Sequence, residues 1–307
     1  MTVMVTGASG PIGHALVPLL VRTDEVRAAV RRPDAAEPLR ALGAKVAVGR
    51  LDDADELAEV LRRVYTVIHL VGGPSQPDAD SLQDANHGSV LRALAAAKVA
   101  DVRRFVLVSV PGASPDAPDA YRRARGLAEE AVINSGLDHA VIRSTHAYGL
   151  GGLWLSALVA GATASPPVVL GDPAAALAPV AVEDVAAVLA AADDREGDLE
   201  GTWALEGPDA TTPTALIRLL AGETAPEPRR VAGDEARASL EPALGVSLSN
   251  DALTWLADPA RADAPDAAAA FDVPRTPLLG GLRRALERAA VSDELQTDGQ
   301  IDGQRDR

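Results

Sequence analysis

Thr6-Gly7-Ala8-Ser9-Gly10-Pro11-Ile12-Gly13 is the stretch that decides how this chain folds. It follows Val3 to Thr6, a short apolar run that reads as a buried strand. Pro11 sits where a first helical turn begins, a position proline favours, and Leu16, Leu19 and Leu20 continue at helical spacing. Strand, glycine turn and helix together are the context in which Gly-x-x-Gly-x-x-Gly carries meaning. Gly7 permits the sharp turn, Gly10 lets backbone amides approach a pyrophosphate, and Gly13 lets the helix pack closely on the strand. The helix N-terminus adds partial positive charge for phosphates. Ser9, Pro11 and Ile12 complete this candidate cofactor-binding turn.

The pattern repeats downstream. Val26 to Val30, Val46 to Val48, Thr66 to Val71, Arg104 to Ser109 and His139 to Arg143 read as strands. Helices are expected around Leu57 to Leu61, over Ser81 to Lys98 and over Tyr121 to Asn134. Such alternation predicts an α/β fold, a Rossmann-type doubly wound parallel sheet with right-handed crossovers. After about Leu150 the rhythm changes. Short helices are expected at Leu153 to Ala160, Glu183 to Ala192, Pro213 to Leu220, Ala252 to Leu256 and Leu279 to Ala289. Strands are expected at Val168 to Leu170, Ala178 to Val182 and Thr202 to Leu205, and a loop from Pro226 to Gly233. Residues 1–150 are thus the expected dinucleotide-binding domain, with 178–206 returning to it. Residues 151–177 and 207–290 form a smaller, mostly helical C-terminal substrate lobe, and 291–307 a disordered tail.

Composition narrows the class. The 307 residues are 47% hydrophobic and 24% charged, as in a globular protein. Cysteine is absent, which excludes disulfides, thiolate catalysis and Cys-ligated metal. A net charge of -15 makes nucleic acid and anionic membranes poor partners. No charge-free apolar run approaches the roughly 20 residues that span a bilayer, and the first residues lack a signal peptide's basic start and apolar stretch, so a cytoplasmic location is expected. His14, His69, His87 and His139 show no metal-ligand spacing and read as structural; no metal site is expected. Neither a Gly-x-Ser-x-Gly elbow nor a P-loop is present, which disfavours a hydrolase or NTPase.

The second strand runs into Arg31-Arg32, where an NAD-binding chain often carries an acid for the ribose 2′-hydroxyl. Guanidinium groups there suit a 2′-phosphate, which favours NADP over NAD; the alternative is two solvated arginines. His146 follows the sixth strand, at the end of the sheet where ligands bind. It is either a proton-transfer group, with an ordinary pKa near 6.5, or a loop histidine with a structural hydrogen bond. Trp154, between flanking glycines and leucines, is either an apolar wall over the substrate or lobe packing; Trp203 and Trp255 read as core.

With these residues in view, the sequence resembles the short-chain dehydrogenase/reductase superfamily, most closely its extended and atypical (NmrA-like) branches. The glycine spacing is theirs, and so are Leu51-Asp52 after the third strand, Asn86-His87-Gly88-Ser89 and Phe105 to Ser109. Ser135-Gly136-Leu137-Asp138, Arg143-Ser144 (serine for the usual proline), Tyr148-Gly149, Val182 to Val185 and Phe271 to Leu278 match later elements. The likeness runs over about residues 1 to 290. It implies that Leu51 and Asp52 approach the adenine; Val71, Gly72 and Ser109, at strand ends, join the cofactor-binding set. The family's catalytic Tyr-x-x-x-Lys is here Tyr121-Arg122-Arg123-Ala124-Arg125, with Glu129 in register. In the family the tyrosine protonates the carbonyl oxygen while the lysine holds the nicotinamide ribose. Arginine can hold hydroxyls and stabilise a phenolate but cannot readily pass on a proton. Either Tyr121 still works as the acid, or the triad is degenerate and the proton comes from elsewhere. The family's catalytic hydroxyl falls near Pro111, which leaves Ser109 and Ser114 as the nearby hydroxyls.

The expectation is an NADPH-dependent reductase, a ketoreductase for an apolar, aromatic polyketide-like small molecule. Catalytic candidates are Tyr121, Arg125, Ser109 and His146. The alternative is a non-catalytic NADP-binding redox sensor. A recycled-cofactor epimerase would need the intact lysine. Superfamily members are often homodimers.

Overall fold

A computed structural model describes residues 1–49, 53–222 and 224–290. The Leu51–Asp52 pair and the tail 291–307 lie outside the described residues.

The chain begins β1 (Thr2–Thr6), α1 (Pro11–Leu20) and β2 (Glu25–Val30), then a short α2 (Ala36–Ala41), β3 (Lys45–Val48), α3 (Ala54–Val60) and β4 (Thr66–His69). Asp53 caps α3 by accepting from the Asp55 and Glu56 N–H groups. The helix expected over Ser81 to Lys98 is α4 (Ala79–Gln83), a wide π turn (Asp84–Gly88) and α5 (Ser89–Val99) in one run. Then come β5 (Arg104–Ser109), α6 (Ala120–Ile133), β6 (Asp138–Ser144) and β7 (Ala147–Tyr148).

The remainder comprises α7 (Leu153–Thr163), β8 (Val168–Leu170), β9 (Val180–Ala181), α8 (Val182–Asp194), β10 (Glu200–Leu205), α9 (Pro213–Ala221), β11 (Arg229–Val231), α10 (Gly233–Leu244), α11 (Asn250–Ala257) and α12 (Ala267–Ala270). A last helix, α13, covers 278–290. Two readings are corrected here. The loop Pro226 to Gly233 contains β11, which pairs in parallel with β8 and so satisfies its backbone. The strand expected over Ala178 to Val182 is only two residues long, because Val182 already opens α8.

Seven parallel strands form the main sheet in the order β10-β6-β5-β4-β1-β2-β3, a Rossmann-like α/β fold with helices on both faces. The chain order reverses between β1 and β4. All strands point the same way, so Thr6, Val30, His69, Ser109 and Ser144 end at one rim. One face of the sheet packs on α1 and α8 through Leu16, Val17, Val185 and Leu189; the other packs on α3, α5 and α6 through Leu57, Val90, Leu94 and Val132. A second apolar core joins α7, α10, α11 and α13 through Trp154, Leu240, Leu256 and Leu282. Asp184 of α8 accepts both the N–H and the hydroxyl of Thr276 at 2.7 Å, joining two stretches that sequence likeness had picked out separately. Among the described residues no helix is long and apolar enough to cross a membrane.

Candidate active site

The glycine turn lies at the reversal point of the sheet. Gly7 has φ +70°, and a Cβ there would stand 2.9 Å from the Leu70 and Val71 backbone. A Cβ on Gly13 would stand 2.2 Å from the Ala8 carbonyl oxygen, so helix and turn touch backbone to backbone. Gly10 differs. Its φ is -80°, and the nearest atom to an added Cβ is Gly7 O at 3.4 Å. The protein itself does not need a glycine at this position; a ligand lying against the turn would. Gly10 caps α1 without a side chain, the first turn holds no acid, and the first intrahelical bond is His14 N–H to Gly10 O. The Ile12 and Gly13 N–H groups are therefore left for an anion. Ser9 is exposed on the turn, and Pro11 and Ile12 are half-buried.

Arg31 and Arg32 follow β2 at the same rim, both exposed. Arg32 is 3.5 Å from the Asp34 carboxylate, while Arg31 has no ion pair among the described residues. Arg31 is the freer of the two for a phosphate.

The π turn explains the Asn86-His87-Gly88-Ser89 stretch. Asn86 is fully buried: its amide donates to Gly73 O and Leu82 O, and its Oδ1 accepts from Gly73 N–H at 2.8 Å. It thereby fixes the Gly72-Gly73 turn after β4. A Cβ on Gly72 would fall 2.5 Å from Asn86 Oδ1 and 3.1 Å from the Arg125 guanidinium. His69 bridges Thr6 Oγ1 at 3.0 Å and Ser89 Oγ at 3.2 Å. Ser89 spends its own proton on Ala85 O, so His69 donates from Nε2 and accepts at Nδ1. Burial lowers its pKa to about 3, with Arg125 and Arg92 adding to the effect.

Tyr121 and Arg125 are one turn apart on α6, and both are buried. The only hydrogen bonds from the Arg125 guanidinium among the described residues run from Nη1 to Val71 O and Asn86 O, both long at 3.5 Å. Glu129, one turn further on, is committed to Arg143 at 2.7 Å. Arg125 is thus a buried cation short of partners, and burial lowers its pKa. Tyr121 packs with Leu82, Val110 and Ala113 in a small cluster apart from the larger cores, and burial raises its pKa above the usual phenol value. Ser109 Oγ is buried without a partner at the end of β5. Ser114 accepts from Asp116 N–H at 3.3 Å and serves its own loop.

His146 stands apart from that pair and is not poised near neutral pH. Its ring stacks on Trp154 (5.2 Å, 13°) and meets Trp255 edge-on (4.7 Å, 85°), and its Nε2 is 2.7 Å from Asp258 O. Burial lowers its pKa to about 3, the Arg122 charge adding to this. The proton-transfer reading therefore gives way to the structural one. Trp255, read as core, also packs against the Tyr121 cluster.

Sequence reasoning missed the segment 258–263, which runs across the ends of β5 and β6. Asp258 pairs with Arg122; Asp263 accepts from Gly112 N–H at 2.7 Å and from Arg143 at 3.0 Å. Its two alanines and single proline gave no periodic signal.

The turn, the open cation and the orphaned serine fit a bound dinucleotide. Comparison with known proteins agrees. Residues 7–196 match a family described as NAD(P)H-binding. A (4-alkanoyl-5-oxo-2,5-dihydrofuran-3-yl)methyl phosphate reductase of Streptomyces griseus is 30% identical over 216 residues, covering 68% of this chain and 69% of the relative. The mitochondrial NADH dehydrogenase (ubiquinone) 1 alpha subcomplex subunit 9 of Arabidopsis thaliana is 31% identical over 227 residues, 70% of this chain and 56% of that one. The triphenylmethane reductase of Citrobacter sp., solved with NADP(H), shares the fold at a TM-score of 0.73 and 18% identity, over 93% of this chain and 100% of that chain. Turn, rim and comparisons converge: the chain belongs to the NAD(P)H-binding family of Rossmann-type oxidoreductases.

Proposed function

We propose that the chain is an NADPH-dependent ketoreductase of the atypical short-chain type, acting on an apolar, aromatic polyketide-like small molecule in the cytoplasm. The observation that carries this reading is the Tyr121–Arg125 pair, a buried phenol beside a buried cation with few partners, at the rim where β4 and β5 end. When bound, the nicotinamide supplies a hydride to the carbonyl carbon. Arg125, set between Val71 O and Asn86 O, holds the ribose hydroxyls. Tyr121, kept neutral by burial, delivers its proton to the carbonyl oxygen and leaves an alcohol. Arg31 takes the 2′-phosphate, with Arg32 supporting it. The -15 charge supports a small-molecule partner rather than nucleic acid or membrane.

Titration calorimetry with NADPH and NADH tests the cofactor. Arg31→Ala should cost tenfold or more in NADPH affinity, Arg32→Ala less, and neither should change NADH binding; equal affinities for both cofactors refute the phosphate assignment. NADPH consumption with a panel of aromatic ketones tests the activity. One observation favours a second reading, a non-catalytic NADP-binding sensor: Tyr121 is only 7% exposed, and Trp255 packs against its cluster. A sensor would bind NADPH and consume none with any ketone.

A further inference from the structure

The π turn between α4 and α5 is held by a relay of side-chain hydrogen bonds. In a regular helix the Ser89 N–H would pair with Ala85 O, four residues back. Here it reaches one residue further, to Asp84 O. The Ser89 hydroxyl goes to Ala85 O instead, at 2.7 Å. That spends its proton, so its oxygen takes the Nε2–H of His69 at 3.2 Å. His69 is 2% exposed and stacks on Phe105, and its Nδ1 accepts from the Thr6 hydroxyl at 3.0 Å. Thr6 directly precedes Gly7. The relay Thr6–His69–Ser89 therefore ties the glycine turn to the π turn.

The π turn in its place sets Arg125. The guanidinium hydrogen bonds run to Asn86 O and Val71 O. The first acceptor lies in the π turn itself. The second precedes the Gly72-Gly73 turn, which the Asn86 side chain fixes. Helix α5 is anchored, because Val90 and Leu94 are set in the core. Taking the extra residue out of the turn would rotate Asn86 by roughly 100° against α5, and both acceptors would lose their setting.

We propose that His69 and Ser89 are positioning residues for the nicotinamide ribose: by pinning the π turn they hold the Arg125 guanidinium where it meets the ribose hydroxyls. This rests on the role given to Arg125 in the reductase reading above. The adenosine half of the cofactor falls outside their reach, since Arg31 follows β2, on the far side of β1 from β4.

Titration calorimetry with NADPH and with 2′,5′-ADP separates positioning from folding, because 2′,5′-ADP keeps the adenosine and its phosphates but has no nicotinamide ribose. NADH and ADP serve in the same way for a chain that prefers NADH. His69→Gln keeps a donor near Nε2 for Ser89, whereas His69→Asn keeps only an acceptor near Nδ1. His69→Asn and Ser89→Ala should each weaken NADPH binding at least tenfold and 2′,5′-ADP binding less than threefold. His69→Gln and Ser89→Thr should hold NADPH affinity within threefold of wild type. Ser89 is half-buried, so its variants guard against a folding failure at the buried histidine. Equal losses on both ligands, or unchanged NADPH affinity in His69→Asn and Ser89→Ala, overturn the proposal and leave the reductase reading intact. A selective loss of NADPH affinity in a protein that reduces no ketone would sink the reductase reading and keep the positioning role. A wild-type protein that binds none of these ligands would sink both.

Discussion

Two alanine substitutions in the same turn should fail in opposite ways. In Gly13→Ala the new methyl would lie 2.2 Å from the Ala8 oxygen and 2.5 Å from its carbonyl carbon and Cα. Those are backbone atoms and cannot rotate away. Restoring ordinary contact moves α1 by roughly 1 Å or more, and α1 has α8 packed against it. Overpacking of this kind costs about 3 kcal/mol, the upper part of its usual range. At roughly 2 °C per kcal/mol for a chain of this size, the Tm should fall by about 6 °C. In Gly10→Ala the methyl meets only Gly7 O at 3.4 Å, and φ of -80° suits any residue. Exchanging glycine for alanine at a helix cap costs no more than about 1 kcal/mol, so the Tm should stay within about 2 °C. The methyl would nevertheless stand on the open side of the turn, and NADPH affinity should fall at least tenfold, or about 1.4 kcal/mol. Thermal unfolding and titration calorimetry on both variants suffice. A Gly10→Ala protein that binds NADPH as wild type does would refute the assignment of the turn to the pyrophosphate. A Gly13→Ala protein with wild-type stability would refute the close packing.

Burial raises the Tyr121 pKa, and a phenolic acid loses activity only as pH rises through that raised value, so the rate of ketone reduction should be flat from about pH 6 to 9. Tyr121→Phe should lower kcat by about 10²-fold or more; a loss centred near pH 8 would exclude this phenol. His69 and His146 stay neutral down to about pH 3, whereas the unfolded chain protonates them near 6.5. Their contribution is complete above pH 6.5 and is lost as pH falls toward 3, at about 1.4 kcal/mol per unit for each. Between pH 6.5 and 5, His146→Phe should therefore lose about 2 kcal/mol less stability than wild type in urea unfolding, and identical slopes would contradict the buried neutral ring. Asn86→Ala removes three hydrogen bonds to Gly73 and Leu82, with an expected cost of about 3 kcal/mol and faster amide exchange at Gly73.

The alternation of strands and helices was legible through β6 because each of those strands is a compact apolar run closed by turn residues. Where pairing was decided by distant partners, it was not. β11 is Arg229-Arg230-Val231, a polar triplet that becomes a strand only because β8 lies beside it. Helix α10 carries Pro242 in its interior and begins at Gly233 without a side-chain cap, so Asp234 and Glu235 in its first turn are its only start signal. The glycine turn was readable from its spacing, and Tyr121 and Arg125 from the resemblance, because each motif lies within one element. His146, Trp255 and Asp258 were not, since their roles come from a contact across more than a hundred residues. A histidine between two indoles looks the same in sequence as one in a loop.

The tie between Asp184 and Thr276 bears on how the chain is made. Much of the core beneath α1 comes from late residues: Val185, Leu189, Leu199 and Leu205, then Ala267 and Phe271. Asp184, 5% exposed, gains its hydrogen bonds only when Thr276 arrives. As the polypeptide leaves the ribosome, the glycine turn is therefore synthesised first but its supporting helix is covered last. The half-built sheet stays open along β6 for some sixty residues of translation, until β10 docks. Slowing elongation just after β6 should increase capture of the nascent chain by chaperones, whereas the same pause after residue 276 should have little effect.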